Sequence, residues 1–199
     1  MTRQLSTTVR NARLDTYEST IGTLPVMKIF TGAQPANCAA ANSGTELASG
    51  SLPSDWMGAA ASGLKQLAGT WTLTAGANGT AGHYRIYATG GTTCHEQGLV
   101  KMATVIATNA LTAANGNVLN FASTTGVAVG DKVTGTGILP DTYVLALTGT
   151  TVTISISSTA GVSNGASITF GGDLTLQNTS IASGQTITIT QFDLTEGNA

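Results

Sequence analysis

Ser123-Thr124-Thr125-Gly126-Val127-Ala128-Val129-Gly130-Asp131-Lys132-Val133-Thr134 realigns with Ser158-Thr159-Ala160-Gly161-Val162-Ser163-Asn164-Gly165-Ala166-Ser167-Ile168-Thr169 at an offset of 35 residues. Each copy reads as an apolar strand, a glycine-punctuated turn and a second strand. One copy is too small to bury its own apolar face, so the two are expected to pack together as one module. The module is expected over residues 104–170, where only Asp131, Lys132 and Asp141 are charged. Asn115-Gly116 and Asn164-Gly165 mark tight turns inside it, because Asn and Gly tolerate positive φ.

On either side of the module the pattern is again β. Val26-Met27-Lys28-Ile29-Phe30 is a strand after the Pro25 break. Trp71-Thr72-Leu73-Thr74 alternates, with Trp71 and Leu73 on one face. In His83-Tyr84-Arg85-Ile86-Tyr87, Tyr84 and Ile86 oppose His83, Arg85 and Tyr87. Residues 32–50 read as small and irregular, and 55–67 leave strand and helix open. After Gly171-Gly172, Asp173-Leu174-Thr175-Leu176 and Thr186-Ile187-Thr188-Ile189-Thr190 resume alternation. The expected fold is all-β: a β-sandwich or jelly-roll-like core from 23–103 plus 171–199, an inserted duplicated β module at 104–170, and a short helical arm at 1–22.

That arm is the one good helix candidate. Ser6 or Thr7 can cap it and Gly22 can end it. Leu14, Tyr17 and Ile21 form a narrow apolar stripe, and Arg10 and Arg13 lie on other faces. A helix this short is marginal alone in water. Val9, Arg10, Arg13, Leu14, Tyr17 and Ile21 are therefore the candidate partner-contact residues, with docking on the chain's own β domain as the plain alternative.

Composition narrows the function. Charged residues are 9% of the chain, against about 25% in an average soluble domain. Thr, Ser, Asn and 25 glycines take their place, and hydrophobic residues at 41% suffice for a core. The net charge of −2 gives no electrostatic footprint for nucleic acid. No apolar run approaches the ~18 residues of a membrane span, and Met1-Thr2-Arg3-Gln4-Leu5 lacks the apolar stretch of a signal peptide. Cys38 and Cys94 are accordingly read as free thiols.

No catalytic constellation is legible. Gly161-Val162-Ser163-Asn164-Gly165 matches G-x-S-x-G, but it lies in a β turn, and His83 and His95 both precede it. Cys38, His83, Cys94 and His95 match no zinc-ligand spacing. Trp56, Trp71, Tyr84 and Tyr87 could make a stacking platform for sugars, though such aromatics more often form core. The expectation is a non-enzymatic protein with no catalytic residues, no cofactor and no metal.

Four stretches together resemble a family of small virion-associated proteins of tailed bacteriophages and prophages. They are Thr8-Val9-Arg10-Asn11-Ala12-Arg13-Leu14-Asp15, Leu52-Pro53-Ser54-Asp55-Trp56-Met57, Gly82-His83-Tyr84-Arg85-Ile86-Tyr87 with Gly91-Thr92-Thr93-Cys94-His95, and Gly172-Asp173-Leu174-Thr175-Leu176-Gln177-Asn178-Thr179-Ser180-Ile181-Ala182-Ser183-Gly184-Gln185. The duplicated block is similar to β modules of phage surface and fibre proteins. The resemblance implies a capsid decoration, or cement, protein on the outer virion surface, made in the host cytoplasm. Its partners would be the major capsid protein and sister subunits in a homo-oligomer, without nucleic acid or membrane. The alternatives are a tail or fibre component, and a carbohydrate-binding module with a host glycan as ligand.

Overall fold

A computed structural model describes residues 4–196. In chain order the elements are α1 (Thr7–Ile21), β1 (Val26–Thr31), β2 (Glu46–Ser51), β3 (Leu64–Gln66), β4 (Trp71–Ala75), β5 (Gly79–Tyr87), β6 (Cys94–Lys101), β7 (Thr104–Ala107) and β8 (Gly116–Asn120). They continue with β9 (Lys132–Gly135), β10 (Thr142–Leu147), β11 (Thr151–Ser158), β12 (Ser167–Gly171), β13 (Leu174–Thr175), β14 (Ser180–Ile181), β15 (Thr186–Ile189) and β16 (Asp193–Thr195). The fold is all-β and sandwich-like, with curled sheets and one short N-terminal helix. Two compact units divide the chain at Met102/Ala103 and at Gly172/Asp173. Each boundary lies within two residues of the expected module limits.

In the outer unit the strand order is β13-β6-β5-β1-β2-β4-β15, with β14 added on β5 and a separate β16–β3 pair. Met27 lies opposite Ile86, and Ile29 opposite Tyr84. These residues share one core with Trp71, Leu73, Ile187 and Ile189 from the other end of the strand order. One core can collect both ends only if the sheet curls over itself. Trp56 and Trp71 fill its centre at 5.6 Å between rings, and Phe192 lies 5.0 Å from Trp71. Both indoles are fully buried and both N–H groups are bonded: Trp56 Nε1 donates to Gly22 O, and Trp71 Nε1 to Trp56 O. A buried indole left without an acceptor would be costly.

Strand β2 is absent from the sequence expectation, which leaves 32–50 irregular. Its residues, Glu-Leu-Ala-Ser-Gly-Ser, have weak strand propensity. The strand exists because β1 and β4 pair with it from both sides. A Cβ at Gly50 would collide with the Thr72 carbonyl oxygen, so only glycine admits this close approach.

The 103–172 unit carries the duplication into three dimensions. Its strand order is β7-β12-β9-β10-β11-β8. The two ends of that order meet at the Thr108–Phe121 bridge and the Asn109 N to Asn120 O bond, so the sheet closes into a small barrel. β7, β8 and β9 correspond to β10, β11 and β12. In the β9–β12 ladder Val133 faces Phe170 and Gly135 faces Ile168, a register that maps onto itself when the repeats are exchanged. Loop bonds repeat as well. Gly165 N donates to Thr108 O and Thr108 N to Ala166 O, while Gly130 N donates to Val144 O and Val144 N to Asp131 O. The core pairs equivalent residues, Leu119 with Ile154 and Val133 with Ile168.

One part of the repeat reading is corrected. Val127-Ala128-Val129 forms no strand, and its counterpart contributes only an isolated bridge, Val162 to Thr112. Gly126, Gly130, Gly161 and Gly165 have φ of 87, 90, 80 and 81°, which breaks any extended run. Val127 and Val162 still pack on the barrel core, from loops. The unit begins and ends side by side, because Thr104 of β7 lies opposite Phe170 of β12. In the outer unit, Val100 pairs with Leu174 in parallel.

Candidate functional site

Helix α1 is built as its sequence suggests. Ser6 Oγ accepts from Val9 N, and Gly22 N donates to Glu18 O at the C-terminal end. What it does with its stripe corrects the arm expectation. Leu14 and Ile21 are 5% and 4% exposed, and Ile21 and Tyr17 belong to the core of the chain's own β unit. Tyr17 stacks at a tilt on Trp56, 5.7 Å between rings. The polar side chains bind home as well. Asn11 Oδ1 accepts from Gly63 N, Asp15 Oδ1 from Ala60 N, and Glu18 Oε1 from Met57 N. Arg10 Nη1 donates to Glu196 O, and Arg13 pairs with the Glu196 carboxylate at 3.2 Å. The helix needs a partner surface, and its own domain supplies it. Of the six candidate contact residues, Val9 alone is an exposed large apolar side chain, at 44%.

A buried polar cluster lies on the opposite face of β5. His83 and Arg85 are 0% and 1% exposed, although the alternation places them away from the main core. The segment 32–45 covers them. Arg85 donates all five of its N–H groups: Nε to Cys94 Sγ, Nη1 to Ala40 O and Asn42 Oδ1, and Nη2 to Cys38 O and Ala40 O. Tyr87 donates its hydroxyl to the same Asn42 Oδ1 at 2.7 Å, and burial raises its pKa. Lys28 lies 5.5 Å from the centre of the Tyr87 ring and pairs with Glu46 at 3.0 Å. Asn37 Oδ1 tightens the segment by accepting from Ala39 N and Ala40 N. Sequence reasoning missed this clamp, because its carbonyl acceptors carry no residue-type signal.

His83 stacks on Phe30 at 5.1 Å. Its Nδ1 lies 3.1 Å from Gly32 O and must carry the proton, since a carbonyl only accepts. Nε2 is buried without a partner. Burial is the main cause of its lowered pKa, and the Arg85 charge adds to it against the opposing Gly32 bond.

Trp56, Trp71, Tyr84 and Tyr87 are core, the commoner reading of such residues, and form no stacking platform. All four are at most 3% exposed, so no open aromatic face is available to a sugar. In Gly161-Val162-Ser163-Asn164-Gly165 the two outer glycines hold positive φ in a turn, and Ser163 O accepts from Thr108 Oγ1. Cys38 and Cys94 are free thiols in residues that both contact Arg85, and His95 faces solvent. No group of three or more His, Cys, Asp or Glu that could hold a metal occurs among the described residues. No helix among them is long and apolar enough to cross a membrane. Comparisons with family models, curated proteins and solved structures gave no match to this chain.

Proposed function

We propose that the chain is a non-enzymatic structural protein of a tailed-phage virion, which binds the outer capsid surface and displays the 103–172 unit. The observation that carries this reading is the insertion geometry. The unit's first and last strands are neighbours, Thr104 opposite Phe170, and the core strands on either side of it pair at Val100 and Leu174. A module held this way is carried at one junction and costs its host little closure entropy. Composition supports the same reading. With charged residues at 9%, a surface of hydroxyls and amides enters an interface without large charge-desolvation costs.

The partners in this proposal are the major capsid protein and sister subunits. Many weak contacts, multiplied over copies or within an oligomer, give retention that no single contact gives. The test is sedimentation of the purified protein with decoration-free heads, followed by cryo-EM of the particle. Co-pelleting with density on capsomer seams is the expected result. Density confined to the tail would replace this reading with the tail or fibre one.

A further inference from the structure

Two cysteines far apart in sequence meet at one guanidinium. Arg85 Nε donates to Cys94 Sγ at 3.1 Å, and Arg85 Nη2 to Cys38 O at 2.6 Å. The Cys94 thiol is near enough to Cys38 to help raise the Cys38 pKa, and Cys94 Sγ itself donates to Glu96 O at 3.2 Å. Cys94 sits opposite Tyr87 at the start of β6, and Cys38 lies in the 32–45 segment that covers Arg85. Both are half-buried, so a small reagent reaches them while bulk solvent does not surround them. A disulfide holds its two sulfurs about 2 Å apart, so closure needs a rotamer change or a small shift of the 32–45 segment.

We propose that Cys38 and Cys94 form a reversible disulfide staple that ties the 32–45 segment to β6 under oxidising conditions. The co-reactant is a low-molecular-weight disulfide such as oxidised glutathione. One cysteine, as thiolate, attacks a sulfur of the reagent, whose S–S bond breaks and releases one glutathione thiolate. The other cysteine loses its proton and attacks the protein sulfur of the mixed disulfide, releasing the second glutathione thiolate. The protein gives up two electrons and two protons, and the reagent becomes two thiols.

The environment sets the rate. Burial, and then the Cys94 neighbour, push the Cys38 thiol up to about 11, so at neutral pH it is protonated and slow to react. Closure is therefore slow at pH 7 and faster in mild alkali.

The experiment uses the full chain, with oxidised glutathione in one arm and dithiothreitol in the other. Both are then alkylated in denaturant without added reductant. The expected product is monomeric, two hydrogens lighter, and unmodified at both cysteines. Its Tm should rise by roughly 5–10 °C, since a covalent link across a loop of this length restricts the unfolded chain. Hydrogen exchange should slow over 32–45. Cys38→Ser should abolish the mass shift and the Tm rise while keeping the reduced protein's melting curve. Separate glutathione adducts, bonds between chains, two alkylated cysteines after long exposure, or a staple that lowers Tm would each overturn the proposal.

Discussion

Lys65 Nζ lies 2.8 Å from Asp15 Oδ1, joining β3 to α1 through a side chain that is 2% exposed. The same ammonium reaches Glu18 Oε2 at 2.9 Å. Burial alone would lower the Lys65 pKa, but the bonds to Asp15 and Glu18 outweigh it and raise it. The Lys65 bond, then the Ala60 N–H, lower the pKa of Asp15. Lys65→Ala should destabilise the outer unit by about 1–3 kcal/mol, less than for a fully buried pair because the Asp15 carboxylate is half-exposed. The signs give a pH window. Asp15 contributes above its unfolded pKa and loses the contribution as pH falls through its lower folded value. Lys65 contributes below its unfolded pKa and loses it as pH rises through its higher folded value. Denaturant midpoints should therefore decline below about pH 4 and above about pH 10, and less so in the variant.

Deleting residues 1–22 should unfold the outer unit or lower its Tm steeply, because Ile21 and Tyr17 complete its core. Leu14→Ala, which keeps the helix, should cost about 2–4 kcal/mol in urea denaturation. A truncated protein that melts like the full chain would contradict the docked helix.

Arg85→Lys should loosen the 32–45 segment although it keeps the charge. A single ammonium cannot span the Cys38, Ala40, Asn42 and Cys94 acceptors that the planar guanidinium spans. The expected loss is about 2–4 kcal/mol, with faster hydrogen exchange confined to that segment and its neighbouring strands.

His83 should make the outer unit acid-sensitive. Its folded pKa is lowered, chiefly by burial, so its neutral form stabilises the fold above the unfolded value near 6.5, and that stability is lost as pH falls toward the folded value. Midpoints should drop between pH 6.5 and 5. His83→Asn, whose amide can replace the Nδ1–H bond to Gly32 O, should flatten that slope. An equal slope in both proteins would assign the acid response elsewhere.

The barrel turns offer a paired test of backbone strain. A Cβ at Gly161 would lie 2.7 Å from Thr112 O, while at Gly165 nothing lies within 4 Å; both have positive φ. Gly165→Ala should cost about 1–2 kcal/mol from conformation alone, and Gly161→Ala should cost clearly more. Denaturation of the two variants checks the difference.

How much of this was legible follows from the range of each signal. Helix α1 was readable because its start and stop signals, Ser6 and Gly22, sit at its own ends. Trp71 and Leu73 were readable as core because alternation is local. Lys65 and Arg85 were not, since their partners lie in distant parts of the chain. His83, Arg85 and Tyr87 read as the outward face of a strand; a covering segment of small residues, itself without hydrophobic pattern, makes that face interior. The candidate arm was readable as a helix, but not its destination, because a short apolar stripe does not specify whose surface receives it.

The exchanged strands of the barrel have a consequence for concentration. β12, from the second repeat, lies between β7 and β9 of the first, and β8 pairs with β11. A lone repeat would leave most of its strand edges unpaired and could complete a barrel only with another molecule. Its folding would then be second order and would fail on dilution. Fusing the copies in tandem fixes the partner at a high effective concentration, and assembly becomes unimolecular. The barrel can thus close within each newly made chain, however scarce its sisters.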